Sequence, residues 1–522
     1  MDISLLEKSR LRLQQECDQQ RTPAERNRLG QFATPFALAR EIVSLSLDLL
    51  AKDQPVRFLD PAFGTGSFHS ALMQVCRHGV ASARGFEIDP HYGQPASCLW
   101  MGTGLQLEIA DFTATVPEEP CASLLICNPP YVRHHHLSSE DKQRLREISE
   151  RTGFKPSGLA GLYCYFILLA HRWLLPGAVS AWLVPSEFMD VNYGAAIKEY
   201  LLDQVTLVRI HRFAPSDVQF ADALVSSTVV LFRNLKPSED AAVELSYGGT
   251  LTQPAETLSV SRTELRSEPK WTRLARPKEF EGQRIADPSG IRIGDLFSIK
   301  RGLATGDNGF FILSQERVRE LGLSGRFLRP ILPSPRYLPS DEIEADERGL
   351  PILDRRLFLI DCPLGEDELL DIDPALAHYL ESGKSAAAQG YICRSRTPWY
   401  SQEARPPAPL LCTYMGRSSE HYRPFRFILN RSVATAANVY LLMYPKPMIR
   451  ESMTDHEVAR RVFQMLNAIP IGQMTGEGRV YGGGLHKLEP RELANVRADE
   501  IGSLVTYNNG LTRGVQIEFP QA

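Results

Sequence analysis

The sequence predicts an α/β fold: a doubly wound, mostly parallel sheet covered by helices, followed by a separate α+β domain. Three observations lead to this prediction. At 522 residues, the chain exceeds what a single hydrophobic core usually organises. Up to about residue 232, short runs of β-forming residues alternate with helical stretches, as in a parallel sheet covered by helices. Beyond residue 234 the sequence becomes polar and rich in Ser, Thr, Pro and Glu, which indicates a connector.

The first part of the chain is expected to contain seven strands and six helices. The predicted strands are the runs at 56–60, 83–87, 105–110, 123–127, 178–184, 205–213 and 226–232. The predicted helices follow Thr34, Gly66, Pro90, Ser138, Gly158 and Asn192. We therefore expect one domain over residues 1–240, a connector over 241–285 and a second domain with long loops over 286–522.

Composition and charge exclude several classes of protein. The chain is 43% hydrophobic with a net charge of −4, which argues against coating nucleic acid through bulk electrostatics alone. Its nine cysteines are scattered without a CxxC pair, so neither disulfides nor a metal site is expected. The amino terminus lacks the apolar core of a signal peptide, and the longest apolar stretch, 162–170, is too short to cross a bilayer. We expect a cytoplasmic protein.

A loop that contains glycine follows the first predicted strand. In the segment FLDPAFGTGSF (58–68), Asp60 ends the strand, and Gly64 and Gly66 precede a helix. Glycines at this position let a backbone turn tightly and approach a ligand closely. The third glycine of the dinucleotide fingerprint would fall at His69, which weakens a nicotinamide interpretation. An ordinary strand-to-helix turn is the alternative.

The next two predicted strands also end in acidic residues. Glu87 lies in GFEIDP (85–90), where a carboxylate could accept hydrogen bonds from ribose hydroxyls. Asp111 lies in ADF (110–112) as a possible acceptor for an adenine amino group, with Phe112 as a packing surface. Any one of these acids could simply cap a helix. Together, carboxylates at three strand ends suit a nucleoside at the carboxyl edge of the sheet.

The fourth predicted strand ends in Asn128-Pro129-Pro130-Tyr131. Two consecutive prolines fix φ and remove backbone donors, so the asparagine amide and the preceding carbonyls are held rigidly. An ordinary turn could contain Asn-Pro-Pro, but here an aromatic residue follows it at a strand end beside the predicted nucleoside site.

These motifs resemble, in order over residues 28–232, the adenine DNA methyltransferases of the gamma arrangement, which have a class I S-adenosylmethionine-dependent fold. The segment RLGQFATPFALAREIV (28–43) is similar to the part of that family that closes over the methionine of the cofactor. Thr34-Pro35 also suits an N-cap followed by proline at the first helical position. The resemblance implies that S-adenosylmethionine is bound by Phe32, Thr34, Asp60, Pro61, Ala62, Gly64, Gly66, Glu87, Ile88, Asp111 and Phe112.

The resemblance also implies a catalytic role for Asn128, Pro129, Pro130 and Tyr131. The adenine amino nitrogen is a poor nucleophile because its lone pair is delocalised into the ring. The Asn128 side-chain oxygen and the Pro129 carbonyl are the expected acceptors of its hydrogens, and positioning with preorganised dipoles requires neither a strong base nor a metal. The base must leave the duplex for this reaction, so we expect Tyr131 to cover one face and Phe220 the other, with Phe213 as the rival.

A basic segment follows the tyrosine. Arg133 is predicted to contact DNA, while His134, His135 and His136 are expected in a solvated or phosphate-facing loop. Consecutive histidines cannot easily converge on one metal ion in regular structure, and no second cluster of ligands accompanies them.

The second domain is expected to recognise the DNA target. Region 391–431 has seven arginines against two glutamates, interleaved with aromatic residues, which suits phosphate binding and base reading. Acids elsewhere in the fold could instead balance this charge. Segments 300–311 and 482–493 resemble parts of target-recognition regions. The candidate DNA contacts are Arg301, Arg405, Arg417, Arg423 and Arg426.

The expected partners are double-stranded DNA and, from the resemblance, a cognate restriction endonuclease on a separate chain. An orphan enzyme or one of a phage-defence system would have the same motifs. Two alternatives remain open: a methyltransferase that acts on protein glutamine or RNA, since Asn-Pro-Pro-Tyr also occurs there, and a DNA-recognition module without catalysis. The combination of Asp60, Glu87 and Asn128 argues against the second.

Overall fold

A nine-stranded sheet organises the first part of the chain, in a computed structural model that describes residues 3–76, 79–150, 153–214, 217, 219–220, 226–274, 290–417, 423–481 and 484–504. The strands, in chain order, are β1 (Arg57–Asp60), β2 (Ser82–Glu87), β3 (Leu105–Ile109), β4 (Ala122–Cys127), β5 (Leu174–Pro185), β6 (Thr206–Arg212), β7 (Ser227–Arg233), β8 (Ala242–Gly249) and β9 (Pro254–Ser261). Their spatial order is β3-β2-β1-β4-β5-β7-β6-β8-β9.

The first five strands in space run parallel, which places their carboxyl ends at one edge. β1 pairs in parallel with both β2 and β4, β2 with β3, and β4 with β5. The strand order reverses between β1 and β4, and this kind of switch point opens a crevice for ligands beyond the carboxyl ends. β7 is antiparallel to β5 and β6. The predicted α/β fold with a mostly parallel sheet is confirmed.

Helices cover both faces of this sheet. They are α1 (Ile3–Gln19), α2 (Pro23–Leu29), α3 (Phe36–Leu49), α4 (Ser67–Val75), α5 (Pro90–Leu99), α6 (Ser139–Glu150), α7 (Leu162–Ala170), α8 (Ala195–Asp203) and α9 (Arg262–Ser267). Neighbouring strand residues point to opposite faces: Phe58 and Leu124 belong to the core beneath α3 and α4, while Leu59 and Leu125 belong to the core beneath α7 and α8. Both faces of the strands are therefore buried, as expected of parallel strands.

The prediction of a connector at 241–285 is wrong for its first part, which forms two strands and a helix. β8 pairs with β6 and β9 pairs with β8, so this segment extends the sheet, and a capping box at Ser261 and Glu264 begins α9. Val243 and Leu245 are buried in the core, and Glu244 between them is partly exposed, as expected of a strand that packs one face on a core. The boundary between units falls later, at Gly282 and Gln283.

The chain divides into two units, Met1–Gly282 with Tyr481–Gly484 and Gln283–Val480 with Leu485–Ala522. In its described residues, the second unit combines three small sheets with short helices, in agreement with the predicted α+β fold. The strands are β10 (Phe297–Arg301), β11 (Ile312–Ser314), β12 (Leu328–Leu332), β13 (Glu342–Ile343), β14 (Leu357–Ile360), β15 (Leu410–Thr413), β16 (Met415–Arg417), β17 (Phe427–Asn430), β18 (Thr435–Ala436), β19 (Tyr440–Pro445), β20 (Arg479–Tyr481) and β21 (Leu485–Lys487). Their orders are β10-β19-β15-β17-β13, β11-β14-β12-β18 and β16-β21-β20.

The helices of the second unit are α10 (Ile293–Leu296), α11 (Asn308–Phe311), α12 (Gln315–Glu320), α13 (Glu366–Ile372), α14 (Pro374–Ser382), α15 (Tyr391–Arg394), α16 (Pro447–Arg450), α17 (His456–Ala468), α18 (Ile471–Glu477) and α19 (Pro490–Asn495). Amphipathic α17 buries Val462, Phe463 and Leu466 in a core with the inner face of the five-stranded sheet. Across the described residues, no helix combines the length and apolarity needed to cross a membrane.

Candidate functional site

A cavity of about 260 Å³ lies at the carboxyl edge of the first sheet, beside the switch point. Ten residues singled out from the sequence line it: Phe32, Pro61, Ala62, Gly64, Glu87, Ile88, Asp111, Phe112, Asn128 and Pro130. Residues more than ninety positions apart in the chain therefore meet at one site. The remaining predicted site residues of the motifs, namely Thr34, Asp60, Gly66, Pro129 and Tyr131, are not among its lining residues.

The loop after β1 forms one wall of the cavity. Gly64 adopts a φ of +56°, which favours glycine, and its backbone N–H donates to Glu87 Oε2 at 2.8 Å. Gly66 serves packing instead: it begins α4 with a φ of +90°, and a Cβ there would lie 2.7 Å from the Phe63 ring. Asp60 lies below the loop and accepts from the Ala62 N–H at 3.1 Å, so it shapes the loop and does not line the cavity.

The carboxylate of Asp60 is buried behind this wall, and that of Glu87 is partly buried within it. Burial raises the pKa of Asp60 to about 8, opposed by the Ala62 hydrogen bond and reinforced by the nearby charge of Glu87. Burial likewise raises the pKa of Glu87, whose oxygens accept from the backbone N–H groups of Gly64 and Asp89. Glu87 keeps lone pairs toward the cavity, so it can accept hydrogen bonds from a ligand.

Asn128, directly after β4, has a side-chain amide whose orientation is fixed by its hydrogen bonds. Its Nδ2 donates to the Phe32 carbonyl at 2.9 Å and to Thr34 Oγ1 at 3.1 Å. A carbonyl can only accept, so the amide nitrogen must face residues 32–34 and the oxygen must face the other way. Asn128 Oδ1 is buried and accepts no hydrogen bond from any described residue. A buried amide oxygen without a donor is costly in a native protein and marks a place where a ligand can supply one.

Thr34 does not cap the helix as predicted, while its predicted contact with the cofactor stays a prediction. Thr34 was expected to cap a helix and to contact the cofactor; however, the helix begins at Phe36 with Pro35 as its N-cap, and the Thr34 side chain accepts from Asn128. Backbone pairing adds to this contact, because Tyr131 N donates to the Gly30 carbonyl at 3.2 Å. A Cβ at Gly30 would lie 2.3 Å from Tyr131 N, so only glycine permits the approach. Residues 30–34 thus hold the Asn-Pro-Pro-Tyr motif in place.

Tyr131 and Phe220 do not form the predicted pair of opposed rings. Their ring centroids are 5.9 Å apart with the planes at 84°, and Phe32 contacts both rings at 5.7 Å. Two parallel rings enclosing a flat base would be about 7 Å apart, since each stacking contact takes about 3.5 Å. Tyr131 is buried, and its hydroxyl donates to the Leu183 carbonyl at 3.1 Å. The rival Phe213 is also buried and contacts His211.

The amino-terminal helix contributes lining residues that sequence reasoning missed. Gln14 and Asp18 of α1 line the cavity, and Asp18 Oδ1 accepts from the Tyr92 hydroxyl at 2.9 Å. Gln14 Oε1 accepts from the Thr65 hydroxyl of the glycine loop at 2.7 Å. No sequence motif indicates that Gln14 and Asp18 line a cavity, because α1 is polar and its contacts depend on tertiary structure. A weak signal exists in the seven-residue spacing of Glu7 and Gln14, which places both on one face of α1.

A buried ion pair anchors α1 to the sheet domain. Arg10 is 1% exposed, and it contacts Glu7 at 2.7 Å and Thr65 Oγ1 at 3.2 Å. Glu7 also accepts from the Ser70 hydroxyl at 2.6 Å. Further along the chain, Arg21 pairs with Asp89 at 2.6 Å. The helix is therefore attached through charges to the loops that form the cavity.

The predicted DNA contacts of the second unit divide into two groups. Three arginines are engaged within the protein: Arg405 binds Glu403 and the Arg301 carbonyl, Arg423 donates to the carbonyls at the end of α17, and Arg426 binds Asp341 and the Pro335 carbonyl. Because their guanidinium groups already satisfy acceptors of the fold, we expect these three arginines to contribute less to DNA binding than exposed ones, and their role as DNA contacts stays a prediction.

The other predicted contacts are open to solvent. Arg417 is exposed in β16, and exposed Arg301 stacks on the Tyr414 ring at 4.2 Å. Arg133, in the first unit, is exposed just after the Asn-Pro-Pro-Tyr motif, and His134–His136 forms a short 3-10 turn whose side chains are partly or fully exposed.

Two family descriptions match this chain. Residues 269–509 match "Type II methyltransferase M.Eco57I, C-terminal domain", and residues 123–219 match "Eco57I restriction-modification methylase". The chain is similar to Type II methyltransferase M.XamI of Xanthomonas campestris pv. amaranthicola, with 29% identity over 91% of this chain and 86% of the relative. It is also similar to Type II methyltransferase M.AccI of Acinetobacter calcoaceticus, with 25% identity over 92% of this chain and 87% of the relative.

A solved structure shares the fold. The Type IIL restriction-modification enzyme MmeI, solved in complex with DNA, superposes with a TM-score of 0.53 and 13% identity. The match covers 88% of this chain and 62% of that chain, so this protein spans about six tenths of its length. At this identity the likeness concerns the fold.

Proposed function

Because this chain belongs to the DNA methyltransferases of restriction-modification systems and has a class I methyltransferase fold, we propose that it methylates adenine. In this proposal the methyl group of S-adenosylmethionine goes to the exocyclic amino group of an adenine that has been extruded from duplex DNA. A cognate endonuclease on a separate chain would make this protein the modification enzyme of its system.

The single observation that carries the proposal is the buried, unpartnered oxygen of Asn128. An amino group is the kind of donor that satisfies such an oxygen. In the proposed reaction Asn128 Oδ1 accepts one hydrogen of the target amino group and the Pro129 carbonyl accepts the other. This arrangement draws the nitrogen lone pair out of the ring and directs it toward the methyl donor. The protein contributes positioning and fixed dipoles, which lower the barrier without reorganising during the reaction.

Phe32 and Thr34 fix the orientation in which Asn128 Oδ1 can bind the target. The Phe32 carbonyl and Thr34 Oγ1 accept both hydrogens of the Asn128 amide nitrogen, so a flipped amide would lose two hydrogen bonds and present donors to the target. Pro129 and Pro130 hold the following backbone rigid. The role of Thr34 in the proposal is therefore to orient the catalytic amide.

The chemistry of the cavity fits S-adenosylmethionine. Glu87 suits hydroxyl donors at the end of β2, Asp111 suits an amino group at the end of β3, and the apolar walls include Phe112 and Phe166. Acidic lining residues also suit a ligand with a sulfonium and an ammonium group. When bound, the cofactor supplies an electrophilic methyl group on a positively charged sulfur.

An extruded base could bind only if the aromatic rings of Phe32, Tyr131 and Phe220 moved apart. A flat base cannot lie between Tyr131 and Phe220 while their rings touch edge to face. We propose that Tyr131, fixed by its hydroxyl to Leu183, is the stationary stacking surface and that Phe220 moves to admit the base. Stacking would then be completed only in the DNA complex.

Methyl transfer to different acceptors tests the proposed function directly. Tritiated S-adenosylmethionine is incubated with the purified protein and either duplex DNA, structured RNA or a protein extract. We expect label only in duplex DNA. Label in RNA or in protein glutamine would favour the alternative methyltransferases, and DNA binding without label would favour a recognition module.

A further inference from the structure

Arg144 of α6 is the single basic side chain among the lining residues of the cavity, within the described part of the chain. Asp18, Glu87, Asp111 and Asp141 line the same cavity. The Arg144 side chain is 36% exposed, so it lies at the rim and is not deeply buried. A lone guanidinium in an acidic ligand cavity needs a reason for its position.

Arg144 belongs to a closed ring of hydrogen bonds with Asp111 and Thr113. Its Nη2 donates to Asp111 Oδ2 at 3.0 Å, and its Nη1 donates to Thr113 Oγ1 at 3.1 Å. The Thr113 hydroxyl in turn donates to Asp111 Oδ1 at 2.7 Å, and the Thr113 N–H donates to the same oxygen at 2.8 Å. The carboxylate is therefore fixed from both sides.

The Asp111 carboxylate has one lone-pair position that is still free to accept a hydrogen bond. A carboxylate offers about four lone-pair positions, and this ring fills both on Oδ1 and one on Oδ2. Asp111 thus presents one remaining acceptor position and no donor. Because Asp111 lines the cavity next to the apolar surface of Phe112, that position suits a single N–H at the edge of a flat ring.

The rest of α6 supports this placement. The neighbouring Leu145 is fully buried in the core next to the cavity, which fixes the helix turn that carries Arg144. Arg146, two residues later, faces solvent with 70% of its side chain exposed and pairs with Glu150 of the same helix. The two arginines therefore have the same chemistry in opposite surroundings.

We propose that Arg144 is a positioning residue of the cofactor site, which holds Asp111 so that its free lone pair accepts the 6-amino group of the cofactor's adenine. This inference rests on the proposed use of S-adenosylmethionine and assigns part of its recognition to α6, outside the motifs found in the sequence. Arg144 acts through Asp111, so its contribution exists only when both Asp111 and the amino group are present.

Calorimetric binding of S-adenosylhomocysteine to the full chain tests this inference. Arg144→Met is expected to weaken binding about tenfold, as for loss of hydrogen bonds to a charged group. Arg146→Met, the matched control on the same helix, should change affinity by less than about twofold. In an Asp111→Ala background, adding Arg144→Met should also cost less than about twofold, because coupled residues are not additive. An analogue with hydrogen in place of the 6-amino group should give the same small effect.

The contrary outcomes are distinct. An equal loss from Arg144→Met in both backgrounds and with both ligands would mean that Arg144 only anchors α6, and it would overturn the inference. So would unchanged affinity in the Arg144→Met variant. If that variant fails to fold, Arg144→Lys, which keeps the charge but not the two-point contact, should fall between wild type and Met. Failure of the wild-type protein to bind either ligand would instead overturn the proposed cofactor.

Discussion

Thr34 connects the segment before the first strand to the side-chain amide of Asn128, which is proposed to be catalytic. Replacing it with Val removes the acceptor for Asn128 Nδ2 at nearly constant size. We expect kcat to fall about tenfold because the amide is less well positioned, while S-adenosylhomocysteine affinity stays within about twofold. Thr34→Ser keeps the hydroxyl and should restore most of the rate. A loss of cofactor affinity with unchanged kcat would return Thr34 to the cofactor-binding role that the family resemblance implies.

Asp60 should make stability depend on pH in a defined direction. Burial raises its pKa from 3.8 to about 8, so between these values the folded protein keeps a proton that the unfolded chain releases. Stability from this group therefore falls as pH rises through that window. Asp60→Asn has no such proton and keeps the acceptor for Ala62, so its Tm relative to wild type should increase from pH 5 to pH 8.

The exposed Asp53 provides the control for this measurement. Asp53→Asn should show the same difference from wild type at both pH values. If Asp60→Asn behaved like Asp53→Asn, the carboxyl of Asp60 would not be buried in the folded protein.

The order of motifs along the chain was sufficient to predict ten of the residues that meet at the cavity, but not that others, such as Thr34 and Asp60, lie behind its wall. Asn128, Glu87 and Asp111 could be placed because strand ends of a parallel sheet share one edge. The tasks of Thr34 and Arg144 could not, since each depends on a partner chosen by tertiary packing. Local sequence carries no record of such a partner.

At the scale of elements, α1 is the clearest part of the site that the sequence did not indicate. Its ion pair between Glu7 and Arg10 is almost fully buried. Arg10→Met leaves the Glu7 charge without compensation, and we expect a loss of about 3–5 kcal/mol in the free energy of unfolding. Binding of S-adenosylhomocysteine should weaken as well, because Gln14 and Asp18 lie on the same helix.

Urea unfolding followed by tryptophan fluorescence measures this effect. Arg12, exposed on the same helix, is the matched control, and Arg12→Met should change stability by less than about 0.5 kcal/mol. An equal, small change in both variants would mean that α1 does not hold a buried charge pair.

The hydrophobic pattern of the sequence was enough to predict the central strands of the sheet but not those at its edge. β1, β4 and β5 were predicted within a few residues because parallel strands buried on both faces are continuous apolar runs. The β8–β9 hairpin was missed because it lies at the sheet edge, where β9 buries only Val260 fully. An edge strand with Ser, Thr and Glu on its open face has the composition of a connector.

For the whole molecule, the proposed contact with DNA must come from local charge, since the net charge is −4. If exposed Arg417 contacts a phosphate, Arg417→Gln should reduce the slope of log affinity against log salt concentration by about one. Arg317→Gln, an exposed arginine already paired with Glu320, should leave that slope unchanged. Fluorescence anisotropy of labelled duplex DNA over a salt series measures both.

Arg426→Gln should behave differently from Arg417→Gln. It breaks the contacts with Asp341 and the Pro335 carbonyl, so we expect a lower Tm and an unchanged salt slope. The reverse assignment, with a changed slope for Arg426→Gln and none for Arg417→Gln, would contradict the division of arginines described above.

The proposal that this protein methylates adenine is tested most directly by the identity of the modified nucleoside. Duplex DNA is incubated with the protein and S-adenosylmethionine, digested to nucleosides and analysed by mass spectrometry. We predict N6-methyladenine as the product, and none with Asn128→Ala, which should still bind S-adenosylhomocysteine because the amide oxygen that it lacks is proposed to bind the target base and not the cofactor. Methylated cytosine in place of methyladenine, or undiminished methyladenine from the Asn128→Ala protein, would contradict the account.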